Sequence, residues 1–174
     1  LRGGVDRLIE YSVRRLADVI AEPLPGGPRT RTADRFILSA HSGGGMPAVD
    51  VIEGSRRRPD EVYVFDGLYG RDPAGGDPMQ GLEVIDEWLG ERLRHEPRRP
   101  GALRVVYIEQ QTGPFSRRVA ELVARHLAIA EPGSAASLAR RYRIEASGVQ
   151  HSQIARRCMP ELLSAPDVRF DWLR

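Results

Sequence analysis

The sequence predicts a single α/β domain with a parallel sheet and helices on both faces. Short apolar runs that are typical of strands alternate at least three times with segments of helical periodicity. One of these runs, 103–108, has the composition of a buried strand, as parallel sheets require. The 174 residues match one ordinary domain and can bury a core without disulfides. The chain begins at Leu1 inside a helical pattern, so we expect the domain, 1–174, to belong to a longer polypeptide.

The predicted elements in the first part of the chain place one serine at the junction of a strand and a helix. Apolar residues at helical spacing predict a helix from Val5 to Ile20, and Phe36 to Leu38 form the first predicted strand. A helix containing Ala48 to Gly54 follows. Because proline is tolerated only in the first turn of a helix, Pro47 places the start of this helix near Gly44.

The rest of the chain continues the alternation of strands and helices. Gly, Pro and Asp clusters separate the apolar segments and mark the loops. Further strands are predicted at 62–65, 103–108 and 143–146, and further helices around 82–93, 119–127 and 154–162.

Composition and charge exclude several classes of function. The 26 cationic side chains, all arginine, nearly balance 24 acidic ones, so the net charge of +2 does not predict a nucleic-acid partner despite a pI of 9.0. No apolar run reaches the roughly 20 residues of a membrane span, which predicts a soluble protein and leaves its compartment open. The single Cys158 excludes an intrachain disulfide and a multi-cysteine zinc site.

The junction between the first strand and its helix has the pattern of a nucleophile elbow. In Ala40-His41-Ser42-Gly43-Gly44 a serine sits between small residues two positions to either side, as the strained turn requires. The turn exposes the serine hydroxyl and directs the next amide towards a developing oxyanion. Ser42 is therefore the candidate nucleophile, and Gly43 the candidate oxyanion donor.

A serine nucleophile needs a histidine base, and the chain contains four histidines. His151 lies in a predicted loop after the last strand, before a helix that Ser152 is expected to cap, so it can reach over the carboxyl edge of the sheet. We expect His41 to support the turn, His95 to be exposed at a helix end, and His126 to be partly buried on an apolar stripe. His151 is the candidate base.

Two acids end neighbouring predicted strands and can orient that base. Asp66 follows 62–65, and Glu109 follows 103–108. Asp66 has the shorter side chain and is followed by Gly67, which lets the loop turn towards the site. Asp66 is the first choice for the acid, and Glu109 is the alternative.

At this point the chain resembles the α/β-hydrolase superfamily, in the order Ser42, acid, His151. The segments SAHSGGG, VFDGLYG and VQHSQI also resemble those of bacterial serine-hydrolase-like proteins, which favours Asp66. In the superfamily the acid usually follows the seventh strand, which implies Glu109, and in a minority the sixth, which implies Asp66. The resemblance covers most of the chain but only the second half of the family fold, so the first strands are lacking.

The lacking half has two implications. The family draws a second oxyanion donor from a loop after its third strand, and nothing ahead of Ser42 supplies one. The nucleophile strand would also form an open edge of the sheet, which we expect an upstream segment or a partner chain to cover.

Together these features predict a serine hydrolase that acts on an ester or amide carbonyl through an acyl-enzyme, without metal or organic cofactor. His41, Leu68 and Tyr69 are candidates for contacts to a small-molecule or peptide substrate, and the loop 70–78 for the border of the cleft. Two alternatives stay open. One is a non-catalytic α/β-hydrolase-like binding module. The other is an anion-binding domain that uses the amides of Gly43 to Gly45.

Overall fold

A computed structural model describes residues 4–20, 35–70, 79–95, 101–130 and 132–173. The strands are β1 Ile37–His41, β2 Glu61–Phe65, β3 Ala102–Tyr107 and β4 Tyr142–Ala146. The helices are α1 Gly4–Ile20, α2 Gly45–Gly54, α3 Leu82–His95, α4 Glu109–Ala128, α5 Pro132–Arg141 and α6 His151–Ser164. The four strands form one parallel sheet in the order β1-β2-β3-β4, which confirms the predicted α/β class.

Alternate residues of the central strands enter two apolar cores on opposite faces of the sheet. Val62 and Val64 of β2 pack with residues of α2, α3, α4 and α5. Tyr63 and Phe65 of the same strand pack with α6 and with the C-terminal segment around Phe170. Because successive side chains of a strand point to opposite faces, one strand supplies both cores, and helices cover both faces as predicted.

Two helices differ from the sequence prediction. The helix predicted around 119–127 begins at Glu109, directly after β3, because the amides of Gln111 and Thr112 already donate to the carbonyl of Ile108. Helix α5 was not predicted. Leu138 is its one buried large apolar residue among those with described side chains, so the sequence carries little helical periodicity there.

The strand register brings the carboxyl ends of the strands to one edge. His41 pairs with Phe65, and Phe65 pairs with Val106. The residues that follow β1 and β2, Ser42 and Asp66, therefore leave the sheet side by side, about one strand spacing of 4.8 Å apart. Ligands of open α/β sheets bind at this edge.

The outer edge of β1 has no strand partner within the described residues, and no described strand precedes β1. Backbone N–H and C=O groups of β1 on that side lack ladder partners. The expectation that an upstream segment or a partner chain covers this edge stays a prediction.

Helix α1 confirms the amphipathic helix predicted at the start of the chain. It leaves Leu8 and Tyr11 on the surface, 62% and 58% exposed. In the part of the chain that the structure describes, no helix has both the length and the apolar character needed to cross a membrane.

Candidate active site

Ser42 occupies the strained junction between β1 and α2. It opens a 3-10 turn, Ser42–Gly44, that runs directly into α2 at Gly45. Its φ of 53° lies in the left-handed region, which costs an L-residue about 1–2 kcal/mol. The strained backbone predicted for the elbow is thus present.

Two glycines allow the loops after β1 and β2 to touch backbone to backbone. A Cβ on Gly45 would lie 1.9 Å from the carbonyl oxygen of Gly67, and a Cβ on Gly67 would lie 2.6 Å from that of Ser42. Neither position tolerates a side chain. The elbow pattern predicts the closest packing at Gly44, but the structure has it at Gly45. A Cβ on Gly44 would make only an ordinary 3.8 Å contact with the Cβ of Ala40.

The candidate oxyanion donor, Gly43, is exposed and has open space around it. No heavy atom outside its chain neighbours lies within 4 Å of where its Cβ would be. Its amide belongs to the first turn, where N–H groups have no partner one turn earlier. The amide of Gly45 is already used, because it donates to the carbonyl of Ser42.

Asp66 is buried at the end of β2 in a network of donors. Its side chain is 0% exposed, and its φ of 44° is also left-handed. The backbone amide of Ile108 donates to its Oδ1 over 2.9 Å, and the hydroxyl of Thr112 donates to the same atom over 2.5 Å. A buried carboxylate needs such partners to remain charged. The sequence pattern does not indicate Thr112, because it predicts a start of α4 too late to place this residue beside the end of β2.

His151 completes the network of Asp66. Its Nδ1 lies 2.6 Å from Asp66 Oδ2, and its side chain is 32% exposed. Asp66 Oδ1 already accepts two hydrogen bonds and a carboxylate only accepts, so Nδ1 of His151 carries the proton. The lone pair of Nε2 is then available to take a proton from a neighbouring group.

The position of His151 differs from the sequence prediction in one respect. It is the first residue of α6, not a loop residue, and Ser152 does not cap the helix, whose N-cap is Gln150 without a side-chain cap bond. The short loop after β4 is held instead by Ser147, whose hydroxyl accepts the amide of Val149 over 3.0 Å.

His41 contacts the candidate base, His151, directly. Its Nε2 lies 3.0 Å from the backbone oxygen of His151, and the two imidazole rings are 4.6 Å apart between centroids at an angle of 31°. Among the described residues no hydrogen bond joins the hydroxyl of Ser42 to His151. Hydrogen bonds of this kind are often long in unliganded enzymes and shorten when substrate binds.

Glu109, the alternative acid, does not contact His151. It is the first residue of α4, its side chain is 51% exposed, and it forms an ion pair with Arg117 of the same helix. Because β3 is followed at once by helix, the carboxylate of Glu109 projects along α4, and the carboxylate that contacts His151 is that of Asp66.

The candidate substrate contacts separate into buried and exposed residues. Leu68 is 2% exposed and packs in the apolar core with Trp88, so its prediction as a substrate contact is wrong. Tyr69 is 44% exposed, three residues after Asp66. Residues 71–78 of the loop expected to border the cleft lie outside the described residues.

The remaining histidine and cysteine side chains that the structure describes lie away from the carboxyl edge of the sheet or are fully buried. His126 binds Asp86 through Nε2 over 2.7 Å, linking α4 to α3, and the side chain of His95 lies outside the described residues. Cys158 is fully buried, and burial raises the pKa of its thiol to about 12, so it is no nucleophile at neutral pH. In the described ranges, no group of three or more His, Cys, Asp or Glu side chains has an arrangement that could hold a metal ion.

In comparisons with known proteins, no family model matches this chain, and no curated protein or solved structure is significantly similar to it. The assignment of chemistry to the site therefore depends on its geometry.

Proposed function

We propose that this chain is a serine hydrolase of α/β-hydrolase type, with Ser42 as nucleophile, His151 as base and Asp66 as the acid that orients it. The observation that carries the proposal is the 2.6 Å hydrogen bond between His151 and the fully buried Asp66, beside a serine with φ of 53°. Strained backbone and a buried carboxylate–imidazole pair are typical of sites that perform chemistry.

The first half of the reaction forms an acyl-enzyme. The oxygen of Ser42 attacks the carbonyl carbon of an ester or amide while Nε2 of His151 takes the hydroxyl proton. Asp66 stabilises the imidazolium through Nδ1, and the amide of Gly43 donates to the developing oxyanion. When the tetrahedral intermediate collapses, His151 gives the proton to the leaving alcohol or amine.

The second half returns the enzyme to its starting state. Water attacks the acyl-enzyme carbonyl, and His151 takes one of its protons and then returns it to the oxygen of Ser42. The products are a carboxylic acid and the free serine. This cycle requires the hydroxyl of Ser42 to come within hydrogen-bond reach of His151 when substrate is bound.

The contacts of the glycine turn favour this proposal over an anion-binding domain. A cradle built from the amides of Gly43 to Gly45 needs several free N–H groups, but the amide of Gly45 already donates to Ser42. A single open amide at Gly43 suits one oxyanion better than a phosphate.

A fluorophosphonate probe tests the proposal, because it phosphonylates only an activated serine. We expect Ser42 of the folded chain to be labelled, Ser42→Ala to abolish labelling, and His151→Ala to slow it by about 100-fold or more. Ser39→Ala is the matched control, since Ser39 is an exposed serine of the same strand and should be dispensable. No labelling of the folded chain, or labelling that persists in Ser42→Ala, would contradict the proposal. A thermal shift with inorganic phosphate but no labelling would favour anion binding.

A further inference from the structure

We propose that His41 is a positioning residue that locks the base His151 over the serine turn, an inference that rests on the function proposed above. His41 is the residue before Ser42, and its ring contacts both the backbone oxygen and the tilted imidazole ring of His151. One side chain thus connects the nucleophile turn to the start of α6.

The hydrogen bond has a defined direction. A carbonyl oxygen only accepts, so Nε2 of His41 carries a hydrogen and donates it to the carbonyl of His151 over 3.0 Å. The bond holds the backbone of the base, whereas the bond from His151 Nδ1 to Asp66 holds its ring. The two bonds fix different parts of the same residue.

The topology explains why a second attachment is needed. β1 and β4 are the outer strands of the sheet, three strand intervals or about 14 Å apart. His151 follows β4 by five residues but contacts His41 at the end of β1. The intervening segment therefore runs along the carboxyl edge of the sheet, from the end of β4 towards the ends of β2 and β1. Its near end is held where the amide of Ser147 donates to Tyr107 and that of Gly148 donates to Leu173.

The contact between the two imidazole rings limits how the ring of the base can tilt. A single hydrogen bond from Nδ1 to Asp66 leaves the imidazole free to tilt about that bond. The ring of His41 lies against the His151 ring, tilted by 31° with the centroids 4.6 Å apart, so tilting towards that side is blocked. Nε2 of His151 is then held at one orientation, as proton transfer from Ser42 requires.

Substitutions of His41 separate the hydrogen bond from the ring contact. His41→Phe retains a ring but has no donor, and His41→Gln retains an N–H donor without the ring. We expect the limiting rate of fluorophosphonate labelling to fall about 5- to 10-fold in His41→Phe and to stay within about 3-fold of wild type in His41→Gln. The probe concentration at half-maximal rate separates this role from the predicted substrate contact of His41: an unchanged value places the effect on proton transfer, and a raised value with an unchanged limiting rate would overturn the positioning role.

Two further variants show whether a loss of labelling rate comes from misfolding or from a general effect of replacing a histidine. His41→Ala, which cannot overpack the site and lacks both the donor and the ring, should lose at least as much rate as His41→Phe. His126→Gln is the matched control, because His126 is another partly buried histidine whose Nε2 binds an oxygen, in this case of Asp86, outside the site. Its labelling rate should equal that of wild type. A wild-type rate in His41→Phe and His41→Ala, or an equal loss in His41→Gln, would overturn the proposal.

A readout that does not need labelling distinguishes failure of this proposal from failure of the proposed function. In a ¹H–¹⁵N spectrum of the imidazoles, the Nδ1 proton of His151 should exchange with water about 10-fold faster in His41→Phe than in wild type. Equal exchange in the two proteins overturns the role of His41 even if Ser42 is labelled. Faster exchange in a protein that is never labelled supports the positioning role and rejects the hydrolase.

Discussion

A buried carboxylate lies at each end of β2. One is bound mainly by charged arginines, and the other by neutral donors and an imidazole. At the amino end Glu61 is 4% exposed, and its oxygens accept from Arg35 over 2.8 Å, from Arg141 over 3.2 Å and from the hydroxyl of Tyr63. At the carboxyl end Asp66 is bound by neutral donors and by His151, without an arginine among its described partners.

The difference teaches which buried carboxylate can support chemistry. A guanidinium keeps its charge at every working pH, so Arg35 and Arg141 give Glu61 a fixed positive environment, which suits a structural role. An imidazole can both accept and release a proton, so a carboxylate that binds one, as Asp66 does, is suited to stabilise a charge that appears and disappears during a reaction.

Backbone strain divides the two ends in the same way. Among the described residues the non-glycine positions with positive φ are Ser42 and Asp66, both at the carboxyl edge. Each of these two backbone conformations costs roughly 1–2 kcal/mol. The close approach of Gly45 to Gly67 helps to hold both residues in place. The Glu61 end has no such residue within the described part of the chain.

Asp66→Asn should give the largest effect and most directly test the comparison. The amide keeps an acceptor for Ile108 and Thr112 but turns an N–H group towards His151, which then carries its proton on Nε2 and cannot act as base. We expect labelling of Ser42 to slow by about 1000-fold or more, measured with the fluorophosphonate probe, in a protein whose circular dichroism matches wild type. A rate within tenfold of wild type would remove Asp66 from the proposed mechanism.

Glu61→Gln is the isosteric counterpart at the other end of the same strand. It breaks a largely buried ion cluster, so we expect the free energy of unfolding in urea to fall by about 2 kcal/mol. The exposure of the Arg35 side chain, 39%, keeps the loss below that of a fully buried pair. Labelling of Ser42 should stay within about twofold of wild type. A large loss of labelling with unchanged stability would reverse the roles assigned to the two ends.

Thr112→Val removes one of the donors to Asp66 while preserving volume. We expect labelling to slow by about 5- to 10-fold, because the carboxylate loses a charge-assisted hydrogen bond and part of its fixed orientation. Ser116→Ala controls for changes in α4, since Ser116 is buried one turn later and its hydroxyl has no partner among the described residues. If the two variants label equally fast, Thr112 does not position the acid.

Alkaline pH should weaken the Glu61 end. Burial, and then the hydrogen bond to Glu61, raise the pKa of Tyr63 above its ordinary value of 10.0. The folded state therefore keeps the phenol proton where the unfolded state loses it, so this stabilisation is complete below pH 10 and falls as pH rises beyond it. Between pH 9 and pH 11, the free energy of unfolding in urea should fall by about 1 kcal/mol less in Tyr63→Phe than in wild type. An equal loss in both proteins would mean that Tyr63 does not contribute.

The elements that the sequence predicted well are those with strong local signals. Periodicity placed α2, α3 and α6 because their apolar residues repeat at helical spacing, and β2 and β3 because their apolar runs are short and continuous. The beginning of α4 was missed because Gly113 and Pro114 interrupt the pattern, although both lie within the helix. Leu68 is predicted as a substrate contact rather than a core residue because its loop position carries no information about the core beneath it.

The sequence by itself determined the alternation of strand and helix, the strained serine turn and the short list of histidines and acids that can serve it, since these depend on neighbours along the chain. The choice of Asp66 over Glu109 as the partner of His151, and the contact of His41 with that base, were decided by tertiary structure. Both depend on strand order, register and the path of the chain across the sheet edge, which bring together residues far apart in sequence.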